Sequence, residues 1–176
     1  MAEGTPLYII RDFSQFISFN QGSETKFPEE IKFESPYPEG VAEDEDEKDP
    51  YISLAHPGNL KKVENGDEFV TPPVIIVEYD YPLSKEFYFV HCSLSPKGFT
   101  RAELALSISN TYKKIYRDEE DAAGNPGNVP GMMNRAESNG PYGIWGHDLG
   151  DLLLHTVILE NGKKFNLPLY TLGIDS

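Results

Sequence analysis

The sequence predicts an α+β domain with a mostly antiparallel sheet and one principal helix, and three observations lead there. Two runs rich in β-branched and aromatic residues, 74–81 (VIIVEYDY) and 86–93 (EFYFVHCS), stand either side of a short Pro-containing turn. One amphipathic stretch with a capping pattern follows at about 100–117. An Asn161-Gly162 pair then separates two further strand-like segments, which together make a C-terminal hairpin at about 156–167. The order strands, helix, long loop, hairpin suits segregated α and β elements. A length of 176 residues fits a single domain spanning 1–176.

Near the N-terminus, Leu7–Ile10 and Gln15–Phe19 read as two short strands. In the run 86–93, Phe87, Phe89 and His91 alternate with Tyr88, Val90 and Cys92, so both faces carry apolar groups and the strand is expected inside the sheet. The helix begins at Thr100 with Glu103 three residues on, a pairing in which each side chain can satisfy the other's free backbone N–H. Phe99 before the cap and Leu104 one turn in suit a hydrophobic staple. Leu104, Ile108, Tyr112 and Ile115 continue the apolar stripe. An end near Arg117 is predicted, because Asp118, Glu119, Glu120 and Asp121 would crowd the negative end of the helix dipole. A loop at about 120–143 follows, with eight Gly or Pro in 24 positions, and Met132 and Met133 are expected to anchor it to the core. The hairpin register implied by Asn161-Gly162 sets Glu160 opposite Lys163 and Ile158 opposite Phe165.

Charge narrows the function. There are 29 acidic against 15 basic residues, a formal net charge of -14. Eleven acids against three lysines between Glu24 and Asp49 supply -8 of it. The run Glu43, Asp44, Glu45, Asp46, Glu47 and Asp49 has no apolar periodicity and lies among prolines and glycines, so about 35–50 is read as a mobile, solvated acidic loop. Such a field repels phosphate backbones, which argues against direct nucleic-acid binding; the plainer reading of the run is a solubilising loop, and the sharper one an acidic bait for a basic protein, histone-like or a host factor, or a mimic of nucleic acid. The loop acids are the predicted partner-binding residues, together with Trp145, which between Gly143 and Gly146 reads either as a core anchor or as a partly exposed recognition aromatic. No run of about 18 apolar residues and no secretion signal is seen, so no membrane role and an intracellular place are expected. Cys92 alone excludes an internal disulfide.

The densest reactive cluster is His147, Asp148, Asp151 and His155, whose imidazoles and carboxylates suit a divalent metal. On a helix, His147, Asp151 and His155 would share a face, yet i and i+8 lie about 12 Å apart along the axis, so at most two could meet one ion. A metal-dependent hydrolase or nuclease using His147 and Asp151 is therefore one reading. The competing one is structural: Asp148 caps a short helix from Leu149, Gly150 permits close packing, and His155 opens the hairpin strand. Cys92 and His91 are neighbours on a strand and point to opposite faces. Glu78, Asp80 and Lys85 only distantly resemble a nuclease arrangement. No complete catalytic constellation and no phosphate-cradling motif is present, so no catalytic residue and no cofactor is assigned, and a non-enzymatic role is expected.

The segment NGPYGIWGHDLGDLLLHTV, Asn139 to Val157, resembles a stretch of uncharacterised proteins from large DNA viruses of amoebae, the Marseillevirus-like group among them. The resemblance is close over about twenty residues and loose over 74–167. It implies a viral accessory protein placed in the host cytoplasm, the viral factory or the virion, where basic histone-like proteins are encoded by the same viruses. It carries over no functional residues. A structural virion component is a third reading, and a homodimer through exposed aromatics and an edge strand is compatible with any of them.

Overall fold

A computed structural model describes residues 7–9, 26–36, 48–49, 51–58, 63–162 and 164–176, with the backbone alone at 7–9, 35–36 and 48–49. The strand β1 (Leu7–Ile9) is followed by β2 (Glu30–Lys32), β3 (Ser35–Pro36), β4 (Lys48–Asp49), β5 (Ile52–Ser53) and β6 (Phe69–Thr71). Then come β7 (Val74–Tyr79), β8 (Phe87–Cys92), β9 (Phe99–Thr100), α1 (Arg101–Ala123), a 3-10 turn at Leu149–Asp151, β10 (Leu153–Leu159) and β11 (Leu169–Asp175). Among the described residues the main sheet runs β1-β8-β7-β11-β10-β2, with β5 also on β10. Every pairing is antiparallel except β11 with β7. The predicted α+β class, the mostly antiparallel sheet, the principal helix and the C-terminal hairpin are all present, and β8 lies inside the sheet between β1 and β7.

The period-two alternation of β7 and β8 decides where the core sits. Ile75, Val77, Tyr79 and Phe89 face α1 and are buried with Leu104, Ile108, Tyr112 and Ile115. Ile76 and Val90 face the other way and are covered by Leu169 of β11 and by Leu167 and the partly buried Phe165 from the β10–β11 connection. Each fully buried aliphatic chain of the helix stripe contributes roughly 1.5–3 kcal/mol through removal from water.

The helix start follows half of the expected capping pattern. Thr100 Oγ1 accepts from the Glu103 N–H at 3.2 Å. The Glu103 carboxylate does not return to the cap; it accepts from Leu94 N and Ser93 Oγ, each at 2.8 Å, and so ties the loop after β8 to the first helical turn. Gly98 precedes β9 at φ +120°, and a Cβ there would lie 1.9 Å from the Thr71 carbonyl oxygen. Gly98→Ala is expected to cost about 1–3 kcal/mol, the range for a non-glycine residue forced into such backbone. Urea unfolding of the two proteins measures it, and an unchanged midpoint would refute the steric argument.

Several expectations are corrected. The helix runs to Ala123 rather than to about Arg117, with Gly124 (φ +75°) donating to the Glu120 carbonyl at 2.8 Å. Three of the four acids feared at its end have a partner: Asp118 meets Lys114, Glu120 meets Arg135, and Glu119 is buried among loop donors. The second hairpin strand begins at Leu169, not Lys163, so Ile158 stands opposite Thr171 rather than Phe165. Phe165 is instead drawn to Tyr88 on the open face of the sheet, at 5.2 Å between ring centroids. The helix occupies the first positions of the 120–143 stretch, and the rest folds back on itself. Val129 donates to Asn134, Ala136 to Gly127 and Ser138 to Ile144. Met132 and Met133 do not anchor it, being 57% and 94% exposed at its tip. At the ends of the acidic stretch 35–50, β3 pairs with β4, Ser35 opposite Asp49 and Pro36 opposite Lys48. Its acids Glu43, Asp44, Glu45, Asp46 and Glu47 lie outside the described residues, as do Gln15–Phe19 and Lys163. Among the described residues no helix is long and apolar enough to cross a membrane.

Candidate functional site

The C-terminal half of α1 and the 124–151 segment hold two buried charged side chains, Glu119 and Arg135. Glu119 continues the helix stripe one turn past Ile115 and is fully buried. Its carboxylate accepts from Ser138 Oγ (2.6 Å), Tyr142 N (2.7 Å), Gly140 N (2.8 Å) and Gly143 N (3.1 Å). Burial alone would raise its pKa, but the Ser138 hydroxyl and the three backbone N–H groups outweigh that, and the net shift is downward. A Cβ at Gly140 would come within 2.5 Å of this carboxylate, so glycine there is what lets the backbone wrap it.

Arg135, from the segment after the helix, reaches the same helix end at Glu120, the residue next to Glu119. Its backbone bridges both Asn128 and Gly146, and its side chain is 1% exposed. Nη1 donates to Asp148 Oδ1 at 2.7 Å and Glu120 Oε1 at 3.2 Å. Burial disfavours the charge, yet these two carboxylates more than offset it, and the pKa is raised. The Tyr116 ring lies 5.4 Å from the guanidinium carbon, and the Tyr116 hydroxyl donates to the His147 carbonyl at 2.9 Å.

The cluster His147, Asp148, Asp151 and His155 does not converge. The segment is helical only in the 3-10 turn Leu149–Asp151, capped as expected at Asp148, and the Asp151 carboxylate accepts from the Asp148 N–H at 3.0 Å. Asp148 turns to Arg135. His147 lies beside the Tyr81 ring, 5.7 Å between centroids, with Nε2 3.4 Å from Ser176 Oγ. His155 sits in β10 at a register shift, beside Gly173 of β11. Among the described residues no group of three or more His, Cys, Asp or Glu is placed to hold a metal ion.

The other candidates are equally dispersed. His91 is fully buried between Tyr79 (Nε2 to OH, 3.0 Å) and Ser107 (Nδ1 to Oγ, 2.7 Å), and burial lowers its pKa to about 3. Cys92, on the opposite face, is half-buried and its thiol pKa is raised by that burial, which disfavours the nucleophilic thiolate. Lys85 lies over the Phe87 ring, and the lysine near Glu78 is Lys164, which meets the Tyr88 hydroxyl. Trp145 is 45% exposed; its indole stands edge-on to Tyr81, and Nε1 donates to the Leu83 carbonyl at 3.4 Å. It is thus anchored by one edge with the rest open, as a contact aromatic needs.

Sequence reasoning missed Glu119 and Arg135. Glu119 had a signal: it falls on the spacing 104, 108, 112, 115, 119, so a carboxylate on an apolar stripe announced a buried acceptor. Arg135 had a weaker one, a lone cation in a stretch of Gly, Pro and Asn. No protein-family model matches the chain, and no curated protein or solved structure is similar to it.

Proposed function

We propose that this protein is a non-enzymatic interaction protein, a viral accessory factor whose acidic surface engages a basic protein partner. The observation that carries the reading is where the charge is rooted. The segment holding Glu43 to Glu47 is closed at its base by the β3–β4 ladder, and this stem follows directly on β2, the edge strand that carries Glu30. A ladder that joins the two ends of an acidic segment keeps its charges together in the chain, and so offers a cation-rich partner a concentrated field. The dispersal of the reactive side chains described above supports the same reading, and so does the resemblance of 139–157 to proteins of amoebal DNA viruses, in which a basic, histone-like partner is at hand.

The test is binding of purified histones and of a Lys/Arg-rich peptide by fluorescence anisotropy at low and high salt. Association is expected to slow by roughly tenfold or more on raising the salt. A variant with Glu43, Asp44, Glu45, Asp46, Glu47 and Asp49 changed to their amides should lose most of the affinity with its melting temperature unchanged. Equal binding by that variant, or affinity that ignores salt, would remove the basis for the proposal.

A further inference from the structure

Among the described residues, the buried side-chain polar atoms without a hydrogen-bond partner are Nε and Nη2 of Arg135. Buried donors in folded proteins are nearly always satisfied, and an orphaned pair on a charged group calls for an acceptor. Which acceptor follows from the geometry of guanidinium. Nε and Nη2 lie on one edge, with two parallel N–H bonds spaced to meet the two oxygens of a carboxylate or phosphate. Nη1, on the other edge, is already occupied by Asp148 and Glu120.

Arg135 lines a cleft of about 320 Å³ between α1 and the 3-10 turn, at the small end of the range for ligand pockets. Lys113 and Arg117 line it too, and neither forms an ion pair among the described residues. In a chain of net charge -14 this is a local gathering of uncommitted cationic donors. Tyr116 and Leu149 supply apolar wall. A dianion would meet the Glu120, Asp121 and Asp148 carboxylates that also line the cleft, so a single negative charge is better tolerated than two.

We propose that this cleft binds a carboxylate on a short apolar body, held by the Nε/Nη2 edge of Arg135 and drawn in by Lys113 and Arg117. The site contains none of the acidic-tract residues and does not depend on the partner-binding reading. The carboxylate can belong to a free small acid or to the chain terminus of another protein, and the test separates these sources.

The Arg135 Nε–H resonance in a ¹H–¹⁵N spectrum is followed during titration with benzoate, its neutral isostere benzamide, inorganic phosphate, and a short peptide with either a free or an amidated C-terminus. A saturable shift with benzoate or with the free-acid peptide is expected at millimolar concentration, with benzamide, phosphate and the amidated peptide at least about tenfold weaker. Saturation by benzoate assigns the site to small acids; saturation by the free-acid peptide alone assigns it to a protein terminus. Arg135→Lys keeps the charge but removes the fork, and should abolish the shift monitored at neighbouring backbone amides. Should that variant fail to fold, the double variant Lys113→Ala/Arg117→Ala, at a half-buried and an exposed position, is expected to weaken binding several-fold with the fold intact. No saturable shift with either carboxylate, benzamide equal to benzoate, or undiminished binding by the double variant would each overturn the proposal.

Discussion

Replacing Glu119 with Ala is expected to lower the melting temperature by about 10 °C and to open the 134–147 segment to proteolysis while the sheet remains folded. The carboxylate is the shared acceptor for Ser138, Gly140, Tyr142 and Gly143, and among the described residues no other acceptor meets the three backbone N–H groups. Truncation leaves those donors without an acceptor, at about 1–3 kcal/mol each where water cannot enter. Some relaxation toward solvent brings the total to about 4 kcal/mol, and each kcal/mol is worth about 2–4 °C in a domain of this size. Glu119→Gln is the sharper variant. It keeps the volume but turns two acceptor lone-pair sites into donors, so it should fall between wild type and the alanine variant. Calorimetry gives the melting temperatures, and limited trypsin digestion reports cleavage after Arg135. An alanine variant melting within a degree or two of wild type would mean that the segment is held by its own turns and by Arg135, not by the helix.

That one residue explains why part of the fold was legible in the sequence and part was not. Strands β7 and β8 and the stripe on α1 are written in period two and period 3.6, and burial of one face decides them locally. The helix terminus is decided elsewhere. Four consecutive acids look like a stop signal as long as their partners are unknown, and the partners of Glu119 and Glu120 lie 15 to 24 residues ahead, in a stretch that composition marks only as loop. The hairpin misleads in the same way. Asn161-Gly162 is a strong turn signal, but β11 pairs not only with β10 but also, in parallel, with β7, and Leu169 and Tyr170 set that register against Ile76 and Val77. The non-local pairing delays the second strand and releases Phe165 to cover the outer face. Among the reactive residues, the sequence placed the Asp148 cap and the strand position of His155 correctly, because those are local. It could not see that Asp148 is claimed by Arg135.

The second large effect is on acid stability, and it comes from His91. Its ring is enclosed by Tyr79 and Ser107, each hydrogen-bonded to one ring nitrogen, with the Phe99 ring 6.5 Å away. Neither neighbour carries a charge to stabilise an imidazolium, so burial holds the folded pKa near 3 against 6.5 for an unperturbed histidine. In that interval the unfolded chain binds a proton that the folded chain refuses. Stability is therefore complete above about pH 6.5 and declines as the pH falls toward about 3, by up to about 1.4 kcal/mol per pH unit. Between pH 7 and pH 5 the loss from this group is about 2 kcal/mol. The window stays above the isoelectric point of about 4.6, and it precedes the contribution of Glu119, whose lowered pKa adds stability that is lost only as the pH falls below 4.5. His91→Gln keeps hydrogen-bonding atoms near both neighbours and has no proton to take up. Urea unfolding of the two proteins at pH 7 and pH 5 should then show wild type losing about 2 kcal/mol more than the variant. Parallel losses in the two proteins would mean that the ring accepts its proton inside the fold, with the Tyr79 and Ser107 oxygens acting as acceptors for an imidazolium, and that the core around α1 is more polar than its packing indicates.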